Sequence, residues 1–340
     1  MRFGFMEDFR NPIKWRRPFP EFYNSILEQI IRGEELGYDN VWLTEHHFTE
    51  DGYNPALLAT AAAIATRTQK IRIGSFILIL PYQHPVRAAE DVACIDIFSD
   101  GRFDLGIGQG YSYHEWNALC MDRSTRGERM REGIDIVKRL YTEDNVTYDG
   151  KYTQIENMTL SPKPVQEPYP PIWIGARGPK AIRNAAKLGY HLMATLGPDP
   201  APLYIETLKE EGYDPADFNI AQLRMAYVAD TTEQAWDECE EHLWHLLTFY
   251  QDILAEAKDA TGDDTPLPAS SPRELRHSAL AENMMIGSPD DVAKKLETFC
   301  SQYQCTDFIM DMQLPGIEPA KATHSMELFA SEIMPSFKDA

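Results

Sequence analysis

Val41-Trp42-Leu43-Thr44-Glu45-His46-His47-Phe48 sets a carboxylate, two imidazoles and an aromatic ring directly behind a short apolar run. Imidazole titrates near neutral pH, so a His in such a place can take up or deliver a proton. The pair makes a poor metal grip. Neighbours on an extended segment point to opposite faces, and no third ligand follows at a suitable spacing. Two further stretches have the composition of a binding site. Gly106-Ile107-Gly108-Gln109-Gly110 strips side chains from the backbone, as is needed where something approaches it closely. Gly175-Ala176-Arg177-Gly178-Pro179 leads into a helix opening at Pro179, and free N–H groups at a helix start beside a guanidinium suit a phosphate.

Each of these stretches ends a predicted strand. Apolar runs place strands at residues 2–6, 40–44, 71–80, 102–107, 172–175, 191–194, 220–229 and 307–312. Between them, helical periodicity or start signals mark helices from Pro20–Glu21 to Leu36, then at 56–66, 85–99, 126–140, 179–188, 202–211, 232–257, 289–300 and 320–329. Asn54 reads as an N-cap with Pro55 in the first turn, and Gly37 stops the first helix. Strands alternating with helices demand parallel pairing and right-handed crossovers, and eight of them suit a closed (β/α)8 TIM barrel. Residues 1–340 then form one domain, with chemistry at the C-terminal ends of the strands. A β-hairpin, residues 146–148 and 152–155 around Asp149-Gly150, is inserted after the fourth barrel helix. Residues 260–278, rich in Asp, Pro, Ser and Thr, read as a long loop inside a lid spanning 258–285. Arg273 and Arg276 either reach inward from that lid on closure or simply keep the loop solvated. No GxGxxG opens the first helix, which disfavours a dinucleotide-binding sheet.

A formal net charge of -21 disfavours nucleic acid and anionic membrane surfaces as partners. The longest weakly polar stretches, 55–65 and 71–81, are too short to span a bilayer. Met1–Phe5 reads as a strand and not as the apolar core of a secretory leader. Five Cys without CxxC or metal spacing read as reduced thiols, so a cytoplasmic location is expected. Ala59, Ala62, Ala63, Ala88, Ala89 and Ala93 give the second and third helices small-residue faces, from which a homodimer is expected.

Taken together, residues 41–50, 80–92 (Leu-Pro-Tyr-Gln-His-Pro-Val-Arg-Ala-Ala-Glu-Asp-Val), 101–110 (Gly-Arg-Phe-Asp-Leu-Gly-Ile-Gly-Gln-Gly), 170–176 (Pro-Pro-Ile-Trp-Ile-Gly-Ala) and 327–335 resemble, in order, the bacterial luciferase-like flavin-dependent monooxygenases. The resemblance implies the barrel, reduced FMN (FMNH2) from a separate flavin reductase, and oxygenation of a small organic substrate by O2 through a flavin C4a-hydroperoxide. It puts the catalytic base at His46. It assigns Glu45, Phe76, Ile77, Gly108, Gln109, Tyr111, Gly175, Ala176, Arg177, Gly178 and Thr195 to the cofactor, and no metal. His47 is a supporting or structural residue, and His84 borders the site. Phe76-Ile77 aligns with a non-proline cis peptide under the flavin ring, the alternative being an ordinary buried strand. Gly108 and Gln109 stand where luciferase carries a cysteine and a phosphate-binding arginine. Arg177 replaces an acidic residue, so the two changes read as a compensating exchange. The rival readings are a deazaflavin-dependent oxidoreductase on the same barrel and a flavin-binding relative without catalysis.

Overall fold

The computed structural model describes residues 1–195, 197–257 and 267–338. Its strands are β1 (Arg2–Glu7), β2 (Asn40–Leu43), β3 (Arg72–Ser75), β4 (Leu78–Ile79), β5 (Phe103–Gly108), β6 (Val146–Asp149), β7 (Gln154–Met158), β8 (Ile172–Gly175), β9 (His191–Ala194), β10 (Ile220–Val228), β11 (Met285–Gly287) and β12 (Asp307–Asp311). Parallel pairing runs β12-β1-β2-β3-β5-β8-β9-β10, and β10 pairs back to β12, so the sheet closes. The eight-stranded barrel is therefore present, with β4 prolonging the third stave and β11 added beside β10. β6 and β7 form a separate antiparallel hairpin between the fourth and fifth staves.

The helices follow from the apolar spacing. α1 (Phe19–Glu35) buries Phe22, Ile26, Leu27 and Ile30 on one face. α2 (Leu57–Ala65) and α3 (Pro85–Ser99) follow β2 and β4. α4 (Tyr113–Ala118), α5 (Arg126–Thr142), α6 (Pro179–Lys187), α7 (Ala201–Glu210) and α8 (Thr232–Glu256) continue the series, with Thr231 capping α8 through the Gln234 N–H. Inside the barrel Met6, Trp42, Trp173, Met193, Leu223 and Ile309 pack together, with the two indoles edge to face at 5.2 Å. The interior is a filled core and not a channel.

Four expectations are corrected. The cis Phe76–Ile77 bond that the resemblance implies is present, but the third strand is for that reason not continuous over residues 71–80: it stops after Ser75 and resumes for two residues. An unbroken apolar run cannot show such a break, because both halves are buried. Asn54 caps no helix; α2 begins at Leu57, and the Asn54 Oδ1 accepts instead from the Thr60 hydroxyl at 2.9 Å. Residues 258–266 of the expected lid lie outside the described residues, and 267–285 contain two short helices, Pro272–Leu275 and Ala279–Glu282, before β11. Arg276 does not reach inward: it binds Asp237 at 2.6 Å and Glu240 on α8, and Arg273 is exposed. Finally, Ala88, Ala89 and Ala93 are buried within the chain, so they present no free small-residue face. The exposed apolar side chains of α3 are Ile97 and Phe98.

Candidate active site

The segments that follow β2 and β5 meet at His46. That residue is buried, three positions past the end of β2. Its Nδ1 lies 2.6 Å from Glu115 Oε1, and its Nε2 lies 3.2 Å from the Tyr111 hydroxyl. Glu115 also accepts the His47 N–H at 3.0 Å and the Tyr82 hydroxyl at 3.1 Å. Burial alone would raise the Glu115 carboxyl, but the hydrogen bond and charge of His46 and the His47 N–H outweigh it and hold it below its ordinary value. An ionised Glu115 can only accept, so Nδ1 of His46 carries the proton facing it. Nε2 is then the nitrogen directed at Tyr111, and it accepts from that hydroxyl when the imidazole is neutral. Burial, together with the charges of Glu115 and its neighbours, pushes the Tyr111 phenol well up, so it stays protonated as a donor.

Sequence reasoning misses Glu115. It sits on α4, 69 positions from its partner, on a helix too short for periodicity to reveal. One signal is present: Ser112 caps α4 by accepting the Glu115 N–H, the first half of a capping box.

A second carboxylate supports the neighbouring backbone. Glu45 Oε1 binds His47 Nε2 at 2.6 Å, while Oε2 accepts the Ile79 N–H at 2.9 Å. Glu45 thus ties the segment after β2 to β4, just past the strand break. His47 is pulled down by burial and pushed up further by Glu45, and its pKa ends above the ordinary histidine value. The two imidazoles bind different carboxylates. Among the described residues no three His, Cys, Asp or Glu side chains converge as a metal site.

Phe76 and Ile77 are half-buried and pack against the interior core. A Cβ at Gly108 would fall 1.8 Å from Ile77 Cδ1, and one at Gly175 would fall 3.0 Å from it. These glycines therefore make room for Ile77, which the broken strand turns towards β5 and β8. Gln109 is exposed, its side chain against Gly127 at the head of α5. Arg177 is exposed after β8, near enough for its charge to act on Tyr111. Gly178 caps α6 at φ 76, with open space where a Cβ would be. The Ala176 N–H is already engaged, donating to Met193 O at 3.1 Å. Thr195 is half-buried directly after β9. His84 lies apart from this group, exposed at the head of α3.

A model of the luciferase-like monooxygenase family matches residues 1–303. The oxygenase component of a flavin-dependent trigonelline monooxygenase from Acinetobacter baylyi is 28% identical, over 94% of this chain and 91% of its own length. An F420-dependent glucose-6-phosphate dehydrogenase from Microbacterium testaceum is 32% identical, over 54% of this chain and 56% of its own. Among solved structures, a Streptomyces bottropensis monooxygenase superposes with a TM-score of 0.87 at 22% identity, covering 99% of this chain and 100% of that one. The oxygenating constituent of 3,6-diketocamphane monooxygenase from Pseudomonas putida, in complex with FMN, superposes at 0.83 with 19% identity and 98% of each chain. At such identities the superpositions speak for the fold.

Proposed function

Since the chain belongs to the luciferase-like monooxygenase family, we propose that this oxidoreductase is the oxygenase component of a two-component system. A separate reductase would supply FMNH2, and O2 would be the oxidant for a small organic substrate. The observation that carries this reading is the His46 imidazole, fixed by Glu115 with Nε2 facing the interior beside Tyr111.

The residues present fit a reduced FMN. Phe76 and Ile77 offer a half-buried apolar floor for a ring system. The open space at Gly178, the start of α6 and the Arg177 guanidinium suit a phosphate. Gln109 and Thr195 flank that end, and Gly108 and Gly175 act through Ile77. Bound reduced flavin supplies the electrons that activate oxygen. The chain's own contribution is to place a proton acceptor at His46 Nε2, to steady its tautomer through Glu115 and to keep water from the buried Tyr111–His46 pair. Glu45 holds the floor in place through the Ile79 N–H.

We take residues 1–340 as one catalytic unit, because β12 pairs with β1 and ties the last strand to the first. We assign it a homodimer through the exposed Ile97 and Phe98 of α3, and a cytoplasmic location on its five free cysteines. Among the described residues no helix is long and apolar enough to cross a membrane. The test is anaerobic titration with FMNH2 and with reduced F420, followed by exposure to O2. Tight FMNH2 binding with oxygen consumption supports the reading. Selective binding of reduced F420 without oxygen uptake would replace it by hydride transfer.

A further inference from the structure

Beside His46, the mouth of the barrel holds carboxylates that the proposed chemistry does not use. Asp8 follows β1 and Asp311 ends β12; strand alternation from Met6 and Ile309 turns both inward. Both are almost fully buried. Asp8 Oδ1 accepts the Arg10 N–H at 2.9 Å, but its Oδ2 is buried without a partner. Asp311 pairs through its backbone in the sheet, but its side chain forms no hydrogen bond or ion pair among the described residues. Buried carboxylates are ordinarily paired, so this layer lacks a counterpart.

Arg10 supplies it only in part: its charge pulls both Asp8 and Asp311 down, yet its guanidinium is hydrogen-bonded to neither carboxylate. Its Nε is bound to Asp51 at 2.6 Å, its Nη2 faces His245 at 3.5 Å, and its Nη1 is buried without a partner. The guanidinium lies over Phe249 at 4.2 Å and Tyr53 at 5.3 Å. One cation therefore stands among three acids and is already committed to Asp51. The aromatic wall continues to the catalytic group: the Tyr53 and Tyr250 hydroxyls meet at 2.6 Å, and His46 lies 4.8 Å from Tyr53, 5.8 Å from Phe249 and 6.2 Å from Tyr250, centroid to centroid. The charges of Arg10, Asp8 and Asp311 all reach the Tyr250 phenol, so acids and rings lie within electrostatic range of one another.

We propose that Asp8 and Asp311 receive a positively charged nitrogen of the organic substrate, whose body lies along Tyr53, Phe249 and Tyr250 towards His46. Aromatic faces attract cations as carboxylates do, so one group satisfies both walls. An inorganic ion fits less well, because among the described residues no three ligand side chains converge. An anion would have to enter beside two unpaired carboxylates. The proposal rests on the monooxygenase reading for the name substrate, but binding can be measured without turnover.

The experiment is calorimetric titration of the full-length protein at pH 8 and constant ionic strength with benzyltrimethylammonium, benzyl alcohol and benzoate. The first carries a permanent charge, so protonation of the probe plays no part. Benzyltrimethylammonium should bind roughly tenfold or more tighter than benzyl alcohol, and benzoate weakest. Asp311→Asn should remove most of that preference while leaving benzyl alcohol unchanged. Equal affinity for cation and alcohol, tighter binding of benzoate, or a preference untouched by both Asp311→Asn and Asp8→Asn would overturn the proposal. FMN titrated into the same samples reports on the flavin site separately, so a failed cation site and a failed flavin site give different results.

Discussion

Asp307 and Asp311 stand on the same strand, face the same way and are both buried, one at each end of the barrel. At the N-terminal end Asp307 takes Arg2 at 2.7 Å, the Thr306 hydroxyl at 2.6 Å and the Asn40 amide at 3.1 Å. Asp104 beside it takes Arg72 at 2.7 Å and the Trp173 indole N–H at 3.2 Å. At the C-terminal end Asp311 takes nothing among the described residues, and Asp8 satisfies one oxygen. Identical chemistry thus serves two ends. Where every acceptor is filled, the carboxylate closes the fold. Where acceptors are left open beside His46, they are kept for something that enters. Barrels divide stability and chemistry along this axis, and here the division shows in the hydrogen bonds themselves.

The largest effect expected from breaking this division lies at the mouth. His46→Ala should lower oxygenation by ~10²–10⁴, the usual worth of a general acid or base, while flavin still binds. Single-turnover oxidation with pre-bound reduced flavin measures it. Normal turnover between pH 6 and 8 would remove His46 from the mechanism.

Arg177→Ala comes next. It should weaken FMNH2 roughly 10- to 150-fold but reduced riboflavin little, since a charged hydrogen bond to phosphate is lost and the α6 N–H groups remain. Gln109→Arg in that background should recover part of the loss. Equal weakening of both flavins would show that Arg177 does not read the phosphate.

The candidacy of His46 and Arg177 is legible in the sequence, and the reason is local. His46 follows an apolar strand, and Arg177 sits in a glycine-flanked turn ahead of a proline-started helix. The alternation of strands and helices is legible in the same way, and β8 and β9 fall where their apolar runs do. Glu115, Asp8 and Asp311 are not. Glu115 acts across 69 positions, and nothing in Glu7-Asp8 marks it as more than the end of a strand. Their meaning depends on who is missing around them, which only packing shows. The break between β3 and β4 is invisible to periodicity for the opposite reason, its residues being apolar whichever way the chain turns; only the family resemblance marks the cis bond at Phe76–Ile77.

The N-terminal end should respond differently. Asp307→Ala strands the buried Asn40 amide and frees Arg2, whose side chain can reach water. We expect a loss of about 1–3 kcal/mol in stability with turnover per folded molecule unchanged. Denaturant melts alongside initial rates distinguish the two. A drop in rate without a drop in stability would mean that the two ends are not separated as described.

The smallest effect is a change in how stability depends on pH. Burial and the charge of Asp51 raise the Asp8 carboxyl to about 7, against the opposing pull of Arg10. Asp311, itself pushed well up by burial and by Asp8, faces the same space, as do Tyr53, Tyr250 and His245. In the unfolded chain Asp8 loses its proton near its ordinary value of 3.8; in the folded chain it keeps it until about 7. Between those values the native state binds more protons, so stability falls as pH rises through the window. Asp8→Asn has no proton to lose there. It should match the wild type near pH 4, exceed it above pH 7 by on the order of 1 kcal/mol, and flatten the slope between. Melting both proteins from pH 4 to 8 tests this. A variant less stable at every pH would show that the carboxylate is a structural partner after all, like Asp307. A gain at neutral pH would mean that the mouth keeps a charge which the fold alone would discard.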